Sequence, residues 1–115
     1  MMVAGNPGIV AALALCISLF GATARADVTD DAAAPINEKY GLNVKKLFAT
    51  KCSWCHQGYG MKQADGPKLG GTHMTFEQVI TRIITGKSPM PGFRTQLKPE
   101  EVQALAEYIK ALPAN

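Results

Sequence analysis

Cys52-Ser53-Trp54-Cys55-His56 decides how the rest of this 115-residue chain is read. Two cysteines separated by two residues and followed at once by a histidine form the C-x-x-C-H pattern of covalent c-type haem attachment. Each position has a chemical task. The two thiols add across the two vinyl groups of the ring, and the adjacent imidazole supplies the proximal ligand to the iron. A chain built around such a group must enclose a flat apolar disc, and must either fill the sixth position of the iron or leave it open. Two other readings compete for the cysteine pair. A thioredoxin-like redox motif needs a βαβ setting, and no strand–helix–strand pattern surrounds this one. A zinc site needs two more Cys or His ligands; beyond the motif only His73 is on offer, because Cys16 lies in a segment expected to be removed.

Upstream of the motif, Tyr40, Val44, Leu47 and Phe48 fall at i, i+4, i+7 and i+8. That spacing predicts a helix from about Ile36 or Asn37 to Thr50, running straight into Cys52. Residues 27–35 are acidic and alanine-rich without an apolar period, and read as a flexible N-terminal arm. Residues 1–26 read as a cleaved signal peptide. An apolar run from Ile9 to Ala22 is interrupted only by Ser18 and Gly21, and Ala24-Arg25-Ala26 offers a cleavage site before Asp27. The run is shorter than the roughly 18 residues that a membrane span wants, so stable membrane insertion is not expected. Residues 1–8 carry no Lys or Arg, which departs from the usual signal pattern.

The mature chain is then 89 residues, one domain spanning 36–113 behind the arm. That size is near the lower bound for a core that stabilises itself, and a covalently held prosthetic group is the kind of staple it needs. Without Arg25 there are eleven basic and nine acidic residues. So slight an excess argues against a nucleic-acid partner and against strong electrostatic steering by net charge.

Downstream, Gln57 to Thr72 holds five glycines and Pro67 and reads as a loop. A helix begins near Thr75, where Thr75 and Gln78 can form a capping box. It carries the stripe Phe76, Val79, Ile80 and Ile83, suited to a mixture of protein core and haem face, and closes at Gly86. Two prolines exclude a regular helix around Met90. The last helix opens at Pro99, with Glu100 and Glu101 in its first turn but only Lys98 at the cap. It buries Val102, Leu105, Ala106, Ile109 and Leu112, and Pro113 ends it. No convincing strand appears, so the fold class is all-α, a small helical domain with long loops wrapped around one covalent haem.

Three methionines follow the motif. Met61 is only five residues from His56, and Met74 immediately precedes a helix start. Met90 lies 34 residues on, in a rigid proline loop beyond a helix that can cross the haem edge. Met90 is the favoured sixth ligand, with Met74 as the rival and His73 a distant third. A thioether is a soft ligand that favours ferrous iron and raises the reduction potential.

These residues together resemble the class I c-type cytochromes, the small monohaem electron carriers. The likeness runs from about Tyr40 to Leu112 and rests on an ordered series. The motif is followed by Gly66-Pro67-Lys68-Leu69, then Met90-Pro91-Gly92-Phe93, then the helix segment Leu105-Ala106-Glu107-Tyr108-Ile109. The resemblance implies that Cys52 and Cys55 carry the haem c and that His56 and Met90 ligate its iron. It implies that the Pro67 carbonyl orients His56, and that Phe48 and Tyr108 pack where the first and last helices cross. The family usually has a glycine eight residues before the first cysteine; here that position is Val44, and Gly41 is three residues too early.

The resemblance implies a periplasmic one-electron carrier, a monomer and not an enzyme. It would move electrons from a periplasmic dehydrogenase, a quinoprotein among the candidates, or from a quinol-oxidising complex. The acceptor would be an oxidase or another cytochrome. A haem subunit of a dehydrogenase complex differs only in the permanence of its partner. A haem enzyme or gas sensor with an open sixth position is the remaining alternative. Lys51, Lys62, Lys87 and Arg94 lie near the haem-contacting stretches in sequence and are candidates for a basic ring around the haem edge.

Overall fold

The computed structural model describes Gly5 and residues 27–115. The signal segment and its cleavage site therefore lie outside the described residues, Gly5 and Asp27 apart. Among the described residues four helices follow in chain order: α1 (Val28–Tyr40), α2 (Val44–Lys51), α3 (Phe76–Thr85) and α4 (Pro99–Ala111), with a short 3₁₀ turn at Gly58–Gly60. Among the described residues there is no strand, only an isolated bridge between Lys87 and Met90. The all-α class holds.

The N-terminal segment corrects the expectation of a loose arm. Asp27 caps α1, its carboxylate accepting from Thr29 N at 2.9 Å and Thr29 Oγ1 at 2.8 Å. Asp30 and Asp31 then sit at the positive end of the helix dipole. Thr29, Ala32, Ala33 and Ile36 are buried, an i, i+3, i+4, i+7 stripe of small groups. Small side chains on that stripe let α1 lie close against α4. Pro35 removes the helical partner of the Asp31 carbonyl; both residues are exposed, so water can serve that oxygen.

The single helix expected up to Thr50 is two. Gly41 takes the left-handed conformation (φ 64°, ψ 33°) and donates to Asn37 O. Asn43 then caps α2 by accepting from Lys46 N, and Asn37 Oδ1 accepts from Val44 N at 2.7 Å. Tyr40 and Val44 therefore do not share one helical face. Tyr40 Oη and Lys39 Nζ both donate to Glu107 Oε1 on α4, at 2.8 and 2.6 Å.

Helix α4 is the element that α1, α2 and α3 all touch. It starts at Pro99 with half a capping box, Glu101 accepting from Lys98 N at 2.8 Å, which compensates for the poor cap. Its buried set is wider than the expected stripe, since Ala104 and Tyr108 join Val102, Leu105, Ala106 and Ile109. At the crossing of α2 and α4 the rings of Phe48 and Tyr108 meet at 5.5 Å between centroids, tilted by 59°. Val44, Phe48, Leu105 and Tyr108 are all fully buried there, so the crossing accommodates a valine where the family usually has glycine. Burying a side chain such as Phe48 contributes about 1.5–3 kcal/mol. The Tyr108 hydroxyl, kept protonated by burial, donates to Tyr59 O at 2.7 Å. Tyr59 itself holds a left-handed φ of 54°. Gly60 behind it has φ 95°, a conformation that favours glycine, and a Cβ there would press on Leu112 Cδ1 at 2.8 Å.

Helix α3 forms the expected capping box, Thr75 N donating to Gln78 Oε1 and Gln78 N to Thr75 Oγ1. Gly86 closes it with φ 69°.

Candidate functional site

The haem-attachment motif continues α2 as a series of tight turns. Cys52 N and Ser53 N both donate to Phe48 O, and Cys55 N and His56 N both donate to Cys52 O. This coil folds Cys52, Cys55 and His56 onto one wall of a cleft of about 960 Å³. The loop 65–74, Val79 and Ile83 of α3, Ile109 of α4 and the turn 87–90 complete its lining. The volume lies at the upper end of the roughly 300–1,000 Å³ typical of small-molecule sites.

His56 is the most constrained side chain in the cleft. It is buried, and its Nδ1 lies 2.8 Å from Pro67 O. A carbonyl oxygen can only accept, so Nδ1 carries a proton, and in the neutral ring Nε2 is the atom with a free lone pair. Pro67 is brought there by its neighbour, because Gly66 N donates to Cys55 O at 2.8 Å. Gly66 is packed so closely that a Cβ would lie 2.6 Å from His56 Cε1. The loop Gln57–Thr72, irregular in sequence, thus acts as a clamp on one imidazole. A second-sphere hydrogen bond of this kind fixes ring orientation and tautomer for a metal.

The cysteines differ. Cys55 is exposed, whereas Cys52 is half-buried and that burial pushes its thiol up to about 12. A redox-active C-x-x-C pair needs a thiol pushed down instead, which argues against the thioredoxin-like reading. Zinc fares no better: among the described residues no three His, Cys, Asp or Glu side chains converge as a metal site. Two thiols, a tautomer-locked imidazole beside them and apolar Val79, Ile83 and Ile109 in the same lining fit a covalently held haem.

Two thioethers line the same cleft. Met90 ends a turn in which Lys87 N donates to Met90 O at 3.0 Å and Met90 N to Lys87 O at 2.8 Å. That turn is tied back to α3 by Phe93 N donating to Ile83 O at 2.8 Å. Met74 also lines the cleft, with its carbonyl accepting from Lys110 Nζ at 2.7 Å. Met61 does not line it; its sulfur packs against Gly70. His73 reaches the cleft rim from an exposed position.

Of the four basic residues proposed to ring the haem edge, only Lys87 lines the cleft. Arg94 lies instead by a separate small hollow between α3 and α4, with Ile80, Ile84 and Leu97. Lys68 and Arg82 line the cleft and were not anticipated. Arg82 was legible in principle, since it follows Val79 by three positions and so shares its side of the helix. The Lys68 ammonium donates to Ala114 O, 46 residues away, a contact that no local pattern signals.

A family model described as cytochrome C oxidase, cbb3-type, subunit III matches residues 42–109. The chain is 33% identical over 76 residues to cytochrome c6 of Nostoc sp., a match covering 59% of this chain and 67% of that protein. It is 32% identical over 76 residues to cytochrome c6 of Anabaena variabilis, covering 59% and 86%. For cytochrome c6 of Microcystis aeruginosa the identity is 29% over 73 residues, covering 56% and 88%.

Proposed function

Because the chain belongs to the small c-type cytochromes and is an electron-transfer protein bearing one covalent haem c through Cys52 and Cys55, we propose that it is a periplasmic one-electron carrier with His56 and Met90 as axial ligands. Bound in the cleft, haem c supplies an iron centre that changes by one electron. The residues around it determine what that centre is allowed to do. Pro67 O holds the Nδ1 proton of His56, leaving Nε2 as the donor to iron and raising its basicity. The Met90 thioether would be the second residue to hold the iron, which would favour the ferrous state and keep oxygen and peroxide from it. Val79, Ile83 and Ile109 exclude water, and the half-buried Arg82 guanidinium is available to the carboxylates of the haem.

The observation that carries this reading is the 2.8 Å contact between His56 Nδ1 and Pro67 O at the wall of a cleft that two thioethers also line. Met90 is preferred over Met74 because two backbone hydrogen bonds with Lys87 hold it in its turn and a third, from Phe93 N to Ile83 O, ties the following segment to α3. The test is the absorption spectrum of the oxidised holoprotein. Met90→Ala is expected to abolish the weak long-wavelength band of a sulfur–iron bond and to create a carbon monoxide site in the reduced form, with Met74→Ala leaving both unchanged. The reverse pattern assigns Met74. Carbon monoxide binding by the unaltered protein moves the enzyme-or-sensor reading to the front.

Export follows from the signal-like residues 1–26, and cleavage before Asp27 leaves the carboxylate that caps α1 in place. The mass of the exported protein checks that site. The donor is a periplasmic dehydrogenase or a quinol-oxidising complex, and the acceptor an oxidase or another cytochrome. Co-purification with a dehydrogenase would convert the free carrier into a subunit.

A further inference from the structure

Trp54 is the only tryptophan of the chain, and 83% of it is exposed, against 47% for Val28 and 41% for Tyr59, the other large apolar side chains at the described surface. Cys52, Cys55 and His56 on either side of it line the haem cleft, and Trp54 does not. A group held in the cleft therefore leaves the indole outside. Keeping so much apolar surface in water forgoes the free energy of burying it, and tryptophan is among the residues most enriched at the energetic centres of protein interfaces.

Its location supplies the functional meaning. Adjacent Cα atoms are about 3.8 Å apart, so a surface seated on Trp54 is carried next to the Cys55 thioether and the haem edge bonded to it. Along the chain the residues flanking it are mainly basic, with Asp65 at the cleft the first carboxylate after the motif. From Val44 to Ala64 the chain has Lys45, Lys46, Lys51 and Lys62 and no Asp or Glu. Lys45 is paired with Asp30 at 2.7 Å, whereas Lys51 and Lys62 have no carboxylate partner among the described residues.

Resting on the electron-carrier reading, we infer that Trp54 is the central contact of a docking surface for a protein redox partner, one that presents an apolar depression rimmed by carboxylates to Lys51 and Lys62. Burial of the indole holds the complex together, and the lysines raise the rate of encounter, since charges at the rim of an interface act mainly on association. Only an electron crosses; no bond is made or broken.

The probe is a flavodoxin in its hydroquinone form, chosen to have an acidic surface around its flavin edge, mixed with the ferric holoprotein by stopped flow. One electron passes to the haem and leaves the flavin as semiquinone. Oxidation of the ferrous protein by ferricyanide is the control, a reaction that needs no apolar docking. Trp54→Ala is expected to slow the flavodoxin reaction at least tenfold and Trp54→Phe to recover most of the loss. Both should leave the ferricyanide rate, the reduction potential and the spectrum unchanged. Lys51→Glu combined with Lys62→Glu should turn a rate that falls with added salt into one that rises. Equal flavodoxin rates for Trp54→Ala and the unaltered protein overturn the proposal, as does an unaltered protein that reacts with ferricyanide but not with flavodoxin. A Trp54→Ala protein slowed equally in both reactions also overturns it, because the indole then supports the haem rather than a partner. An unaltered holoprotein inert to both reagents sinks the electron-carrier reading itself.

Discussion

The two sides of α4 are finished to different degrees. Toward α1 and α2 the protein completes its own packing: Val44, Phe48, Leu105 and Tyr108 are fully buried, and the Tyr108 hydroxyl has its partner. Toward the cleft, Met74 and Met90 are only half-buried, and the imidazole of His56 is held on Nδ1 alone. The first side is a core made of protein. The second is a preformed seat whose apolar surface is complete only with a prosthetic group between its walls. A chain of this size can divide its stabilisation in this way because the covalent group replaces protein core that it is too short to build.

The comparison breaks most visibly if the haem is withheld. Cys52→Ser combined with Cys55→Ser is expected to abolish covalent haem altogether. In that variant, hydrogen exchange should still protect amides of α2 and α4 while protection is lost in 65–74 and 87–90. Equal loss of protection everywhere would mean that the aromatic crossing does not stand without the cofactor. The opposite side is tested by Phe48→Ala, which removes the ring facing Tyr108. It should cost about 3–5 kcal/mol in denaturant unfolding and leave the spectrum of the folded holoprotein unchanged. A ligand change at the iron in this variant would show that the two sides are coupled.

The smallest effect concerns the clasp between α1 and α4. The Lys39 ammonium, and after it the Tyr40 hydroxyl, hold Glu107 below its usual carboxylate range, against a partial burial that acts the other way. A depressed carboxylate contributes stability that is full above its ordinary pKa and is lost as pH falls through the lowered value. Both groups are largely solvated, so the effect is modest. Glu107→Gln should flatten the acid limb of a thermal-unfolding profile below about pH 5 without altering the potential of the haem. An unchanged acid limb would assign that loss of stability to other carboxylates.

How much was readable in advance varied with the range of the interaction. The capping box at Thr75, the Gly86 stop and the Pro99 start are local, and each appears where the residues indicate. The N-terminal helix was missed because residues 27–35 are acidic and alanine-rich and show no period of large apolar residues. Its buried face is built from Thr29, alanines and a single isoleucine, a stripe that periodicity in bulky side chains does not reveal. The break at Gly41 was concealed by Tyr40 and Val44, whose spacing suited one continuous helix although they serve two.

By itself the sequence determined the chemistry: a five-residue motif whose thiols and imidazole bind one kind of group, the all-helical class, and a short list of sulfur ligands. These follow from residue type and short-range spacing, which act before the chain is folded. Only the tertiary structure decided which residues share the cleft. It brought Pro67 O to His56, turned Met61 away while leaving Met74 and Met90 facing in, replaced Lys51, Lys62 and Arg94 at the rim by Lys68 and Arg82, and left Trp54 in water. Those outcomes depend on how helices joined by long loops cross, and the crossing is set by side-chain volumes from distant parts of the chain, which no local pattern records.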